Sequence, residues 1–83
     1  MTPQEANILR YMERRGQPVT RHELASQFGI SMGYLDTIMH SLKRHLLIEQ
    51  DKLYYRATSQ AQDALRDFDD HFKYVPFEGK QQW

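Results

Sequence analysis

Apolar residues recur at helical spacing near the start of the chain. Thr2, Pro3 and Glu5 form the N-terminal signature of a helix, with a capping threonine, a proline at the first helical position and a reciprocal glutamate. Three apolar residues share one face of this helix: Ile8, Leu9 and Met12. Gly16 is a suitable left-handed terminator. The pattern predicts a first helix over about residues 3–15.

Two further helices are predicted in close succession. Thr20 begins a second capping box, completed by Glu23, and Gly29 ends a short helix over about residues 21–28. Its apolar face contains Leu24, Ala25 and Phe28. Ser31 then caps a third helix over about residues 32–45. A continuous apolar stripe marks the core face of this helix: Leu35, Ile38, Met39 and Leu42.

After residue 45 the pattern changes from helical to alternating. Residues 47–50 and 53–57 are predicted to be two short strands around a tight connection at Asp51 and Lys52. We expect the alternate residues Leu53, Tyr55 and Ala57 to face the core. Tyr54 and Arg56 then face outward.

A fourth helix is predicted after Thr58 or Ser59, with Gln62 as the reciprocal capping partner of Ser59. Its apolar stripe is Ala61, Ala64, Leu65, Phe68 and Phe72, and its solvated face carries Asp63, Asp67 and Asp70. Residues 73–83 show no periodicity. We therefore expect one folded domain over residues 1–72 and an aromatic tail over residues 73–83.

Composition limits the function classes. The 83 residues fit one domain, and 11 basic and 11 acidic residues give a net charge of zero, which argues against nucleic-acid binding by bulk charge. There are no cysteines, and no two of the four histidines lie four residues apart, so we expect no disulfide, metal or cofactor. The longest apolar run, residues 46–48, is far too short for a membrane span, and the N-terminus lacks signal-peptide features. We expect a cytoplasmic protein.

Ala25, Gly29 and Leu35 have the spacing of a known supersecondary motif. At intervals of four and six residues they resemble the helix-turn-helix of bacterial and phage DNA-binding regulators. The supporting apolar positions also match: Leu24, Phe28, Ile30 and Ile38. A small residue permits close helix crossing, and glycine supplies the positive φ of the tight turn.

The hairpin after the third helix adds a second resemblance. Leu47-Ile48 and the segment 55–58 are similar to the two strands of the wing in winged-helix regulators. Ala57 stands where that family usually has a larger aliphatic residue, and Leu46 where it often has glycine. The resemblance implies a small α+β winged helix-turn-helix domain, with a three-helix core, a two-stranded wing and a C-terminal fourth helix.

The resemblance also implies a site for double-stranded DNA. Residues 32–45 would be the recognition helix in the major groove, and residues 47–57 would be the wing on the DNA backbone. The implied contacts are Arg21, Ser31, Met32, Gly33, Tyr34, Thr37, His40, Lys43, Arg44, Lys52, Tyr54 and Arg56. Asp36 is an acid near this surface, and exposed polar residues on a helix are also typical of a plain solvated face.

The charge is unevenly distributed although its total is zero. Residues 1–56 carry eight basic and six acidic residues, whereas residues 57–83 carry three basic and five acidic ones. We therefore expect the fourth helix to face away from DNA. A net charge of +2 is small, so we expect modest affinity per protomer and a second protomer or partner.

Two functions remain open from the sequence. One is a homodimeric bacterial or phage transcription regulator without enzymatic activity, because no catalytic motif or glycine-rich phosphate loop is present. The other is a winged-helix protein-interaction module that docks on a protein partner. Aromatic residues of the fourth helix and tail are candidate dimer or partner contacts: Phe68, Phe72, Tyr74, Phe77 and Trp83.

Overall fold

The computed structural model describes the backbone of residues 1–74 and the side chains of residues 1–70. In chain order the elements are α1 (Pro3–Arg15), β1 (Val19–Thr20), α2 (Arg21–Phe28), α3 (Met32–Arg44), β2 (Ile48–Asp51), β3 (Tyr54–Ala57) and α4 (Gln60–Tyr74). The expectations for the side chains of Phe72, Tyr74, Phe77 and Trp83 lie outside the described residues.

Helix ends follow the predicted capping chemistry. Thr2 Oγ1 accepts a hydrogen bond from the Glu5 amide at 3.1 Å, and the Thr2 amide donates to the Glu5 carboxylate at 2.9 Å, which completes the capping box of α1. Gly16 ends the helix at φ 68°. At α2 only half of the predicted box forms, because Thr20 Oγ1 accepts from the Glu23 amide while the Glu23 carboxylate contacts α1 instead.

The sheet has three strands in the order β1-β3-β2, all antiparallel. β1 was not predicted, because two residues are too few for a strand pattern. Val19 pairs with Tyr55 and is fully buried, so β1 closes the side of β3 that a two-stranded wing would leave open.

The predicted connection between the wing strands was wrong by one residue. Asp51 pairs with Tyr54, so the loop is Lys52-Leu53 and β3 begins after Leu53. Leu53 was expected to face the core but is 73% exposed, because it lies at the tip of the wing rather than in the strand. Tyr55 is buried and Ala57 packs against the core, as the alternation predicted.

One apolar core joins the helices and the sheet. All four residues of the predicted α3 stripe are buried: Leu35, Ile38, Met39 and Leu42. They join buried residues of α1, α2, β1 and the wing in one cluster. α3 ends at Arg44, one residue earlier than predicted, with His45 as its C-cap.

α4 packs beside α1. Ala61 and Leu65 are buried, and Arg10 of α1 pairs with Asp69 at 2.6 Å. At the start of α4, Thr58 Oγ1 accepts from the Gln60 amide at 3.3 Å and donates to the Leu46 carbonyl at 2.7 Å. Gln62 was predicted to reach back to Ser59. It instead donates to Glu13 of α1 at 3.2 Å, because its side chain points across the helix pair.

Candidate nucleic-acid interface

α3 has a buried stripe and an exposed stripe along its length. The residues opposite the core stripe are all exposed: Gly33, Thr37, His40 and Arg44. No described element covers them. The 3.6-residue period that buries Leu35 and Ile38 therefore also presents a polar ridge to solvent.

The turn before α3 sets the position of its first residues. Gly29 adopts φ 62°, and the Ile30 amide donates to the Ala25 carbonyl at 3.1 Å. Ser31 Oγ then accepts from the Tyr34 amide at 3.1 Å. This cap fixes the N-terminus of α3, where free backbone amides and the helix dipole favour an anion.

Side chains of the first two turns of α3 differ in solvent exposure and in hydrogen bonding. Tyr34 is 51% exposed, whereas Met32 is half-buried. Thr37 Oγ1 donates to the Gly33 carbonyl at 3.3 Å, so its hydroxyl oxygen still has acceptor capacity toward solvent. The predicted contacts Met32, Gly33, Tyr34 and Thr37 thus come from consecutive turns of one helix.

The wing lies beside the C-terminal half of α3. Lys43 Nζ donates to Gln50 Oε1 at 3.0 Å, which joins α3 to β2. Lys52, Tyr54 and Arg56 are exposed on the wing. The predicted contacts on α3 and on the wing are therefore parts of adjoining elements. Gln50 was missed because nothing in the sequence indicates a contact across seven residues between a helix and a strand.

Ion pairs divide the described cations into two groups. Arg10, Arg15, Arg21 and Arg66 each pair with an acidic side chain. Among residues 1–70, five cations form no ion pair: Arg14, Lys43, Arg44, Lys52 and Arg56. Four of these five lie on α3 and the wing, where two exposed acids of β2, Glu49 and Asp51, also form no ion pair. This surface therefore has more unpaired cations than unpaired acids, although the chain has no net charge.

From the sequence, Arg21 is a predicted DNA contact, whereas Asp36 is an acid close to the predicted DNA surface. The structure joins them: Arg21 Nε lies 3.0 Å from Asp36 Oδ1, and Nη2 lies 2.8 Å from Oδ2. This two-pronged pair connects the first residue of α2 to α3. Fifteen residues separate the partners, so only the turn at Gly29 brings them together.

Within the described chain, no group of three His, Cys, Asp or Glu side chains is placed to hold a metal ion. No helix in the same part of the chain is long and apolar enough to cross a membrane.

Comparison with known proteins identifies a structural neighbour. The crystal structure of MepR, a transcription regulator of the Staphylococcus aureus multidrug efflux pump MepA, is similar with a TM-score of 0.75 at 14% sequence identity. The similarity covers 96% of this chain and 66% of MepR. No protein-family model and no curated protein matches the sequence. The chain therefore has a winged-helix fold, as the residues of the turn and wing predicted.

Proposed function

We propose that the chain is a small, non-enzymatic transcription regulator that binds specific sequences of double-stranded DNA. α3 enters the major groove, and the wing follows the DNA backbone. The observation that supports this most is the exposed polar ridge of α3, which ends at Arg44 and adjoins three further cations, Lys43, Lys52 and Arg56. None of these four cations has an ion-pair partner in the described chain. The fold similarity to the regulator MepR supports the same function.

The N-terminal half of α3 would read base edges. Thr37 Oγ1 can accept a hydrogen bond from a base, and Met32 can contact a thymine methyl group. Gly33 has open space above its Cα, so the helix backbone can approach the groove closely there. Tyr34 and His40 would contact the groove walls beside these residues.

The cations would hold the phosphates. Lys43 and Arg44 lie one to two turns after Thr37, and Lys52 and Arg56 lie on the wing, at positions suited to backbone contact. The N-terminus of α3, capped by Ser31, suits a further phosphate. Arg21 would approach the backbone from the start of α2.

A second protomer would compensate for the small positive charge. We propose a homodimer formed through α4 and the tail, with Phe68, Phe72, Tyr74, Phe77 and Trp83 as contacts. Two recognition helices about one DNA turn apart would then bind two half-sites. Sedimentation velocity tests the dimer, and a monomer at DNA-binding concentrations would contradict it. A bacterial or phage source and a cytoplasmic location are part of the same proposal.

A protein partner is the second candidate. Three large hydrophobic side chains are exposed on α3 and the wing: Tyr34 and Tyr54, each 51% exposed, and Leu53, 73% exposed at the tip of the wing. Exposed aromatic residues are favoured anchors in protein interfaces. This observation favours a protein-interaction module over an inert surface.

The test is fluorescence anisotropy with a labelled random-sequence duplex at low salt. We expect the wild-type chain to bind and Arg44→Ala to bind more weakly, because it loses a phosphate contact, whereas Thr37→Ala should lose discrimination between duplex sequences rather than binding to random DNA. Arg66→Ala is the matched control, because it removes a cation from α4, and it should bind like wild type. All three side chains are exposed, so none of the changes should alter folding by more than about 0.5 kcal/mol.

Equal binding by Arg44→Ala and Arg66→Ala would show that α3 does not contact the duplex. Absence of duplex binding by the wild-type chain would reject the regulator and favour the protein-interaction module.

A further inference from the structure

An acidic side chain stands at the edge of the proposed DNA surface, where a negative charge opposes phosphate binding. Asp36 lies on α3 immediately before Thr37, and its side chain is 50% exposed. Its carboxylate accepts two hydrogen bonds from the Arg21 guanidinium, at 3.0 and 2.8 Å. Neither the base contacts nor the phosphate contacts described above use this carboxylate.

The pair leaves hydrogen-bonding capacity on both partners. A carboxylate has about four acceptor sites, and Arg21 fills two of them. The half-exposed oxygens of Asp36 can therefore accept a further bond without releasing Arg21. The guanidinium fork also fixes the plane of the carboxylate, so little side-chain freedom remains to be lost when a ligand binds.

Pairing also changes the electrostatic effect of Asp36. An isolated carboxylate beside the groove would repel the phosphates, whereas the pair with Arg21 has no net charge. The pair connects α2, which crosses the DNA backbone in helix-turn-helix docking, to the part of α3 that meets the bases. Asp36 can thus approach base edges without the repulsion of an uncompensated charge.

We propose that Asp36 is a specificity-determining residue of α3, whose carboxylate accepts a hydrogen bond from the N4 amine of a cytosine while Arg21 holds it in place. Cytosine presents this donor in the major groove, whereas guanine presents only acceptors there. The inference rests on the proposed function and adds to it a preferred base and a role for Arg21 as a positioning residue.

The two partners have opposite effects on binding when they are removed one at a time. Asp36→Ala leaves Arg21 without its anion, so random-sequence DNA binds more tightly and the salt dependence steepens by about 0.9 in slope. Arg21→Ala leaves Asp36 uncompensated, so every duplex binds more weakly. The double variant should bind random DNA more tightly than Arg21→Ala and more weakly than Asp36→Ala.

The experiment selects duplexes from a random pool with wild type, Asp36→Ala and Asp36→Asn, and then measures affinity for single base-pair variants of the selected site. Wild type should prefer cytosine at one position by about fivefold or more. Asp36→Ala should lose that preference, and Asp36→Asn should shift it to adenine, which an amide side chain recognises. Asp63→Ala is the matched control, since it breaks the exposed pair with Arg66 on α4, and it should select the wild-type site.

Thermal unfolding of each variant separates recognition from a structural effect. If Asp36→Ala and Asp36→Asn fold and select the wild-type sequence unchanged, the inference is overturned while the proposed function stands. If the wild-type chain selects no duplex, the proposed function and the inference both fail.

Discussion

At the scale of single residues, Leu46 has an unfavourable backbone conformation. It adopts φ 62° between α3 and β2, and its side chain is 63% exposed. Leucine rarely occupies this left-handed region, at a cost of about 1–2 kcal/mol, and its exposed side chain recovers little of that by packing. Winged-helix regulators, which the sequence resembles, often have glycine at this position. The positive φ of Leu46 gives the physical reason, because glycine adopts this conformation without strain.

Leu46→Gly should therefore stabilise the chain by about 0.5–1 kcal/mol. The strain energy that glycine relieves in the folded state is larger than the extra conformational entropy that glycine loses on folding. Urea unfolding should show a higher midpoint. Leu46→Ala is the control, since alanine retains the strained conformation and should give no increase. A glycine variant no more stable than the alanine variant would show that the position is not strained.

Two glycines, one in the turn before α3 and one within α3, should change the stability of the chain in opposite directions when replaced by alanine. Gly29 has φ 62° in the turn, whereas Gly33 lies within α3, and a Cβ at either would meet no atom within 4 Å. The space available for a side chain is therefore the same at both positions, and the expected difference in stability comes from backbone conformation alone. Gly29→Ala should destabilise the chain by about 1 kcal/mol, and Gly33→Ala should stabilise it by up to about 0.5 kcal/mol. Chemical denaturation of both variants measures the difference, and effects of the same sign would refute this explanation.

At the scale of elements, a polar contact ties α1 to α2. The Tyr11 hydroxyl donates to the Glu23 carboxylate at 2.7 Å, Arg15 pairs with the same carboxylate at 2.9 Å, and the Tyr11 ring meets Phe28 edge-on at 5.7 Å. The hydrogen bond to Glu23 raises the pKa of the Tyr11 hydroxyl above its ordinary value of 10.0, with burial adding in the same direction.

This shift predicts a loss of stability at high pH. Because the folded pKa is raised, the contribution of Tyr11 is fully present below about pH 10 and is lost as the pH rises through the folded value. Tyr11→Phe keeps the ring contact but cannot ionise, so its free energy of unfolding should fall less steeply above pH 10. Tyr54→Phe is the matched control variant, because it removes the hydroxyl of an exposed tyrosine. A constant difference between wild type and Tyr11→Phe from pH 8 to 11 would contradict the role of this hydroxyl.

The elements differ in how well the sequence predicted them. The helices followed directly from apolar period and capping residues, and the α3 stripe was confirmed in full. β1 escaped prediction because its two residues are defined by pairing with β3, which is a non-local contact. The wing loop was misplaced because it lacks glycine, and Lys52 supplies the positive φ instead, at 59°.

The candidate interface was also predicted where local sequence determines it and missed where non-local contacts do. The exposed face of α3 could be predicted from the spacing of its buried residues, because the helical period places the remaining residues on the opposite face. The pairing of Arg21 with Asp36 and of Lys43 with Gln50 could not, because both depend on how separate elements come together. The DNA contacts themselves remain predictions.

At the scale of the whole molecule, the arrangement of charge matters more than its total. Acidic side chains pair with four arginines of α1, α2 and α4, while four cations on α3 and the wing form no ion pair and outnumber the two unpaired acids there, Glu49 and Asp51. A neutral chain can therefore present a locally basic surface. The proposed binding of DNA with modest affinity by a chain of no net charge depends on this local surface.

The central claim is that this surface contacts DNA phosphates, and the salt dependence of duplex binding tests it most directly. With about four phosphate contacts per protomer, the logarithm of the association constant should fall with the logarithm of salt concentration at a slope near −4. Arg44→Ala should reduce the magnitude of the slope by about one, and Arg66→Ala should leave it unchanged. A slope close to zero, or the same slope for both variants, would contradict the claim.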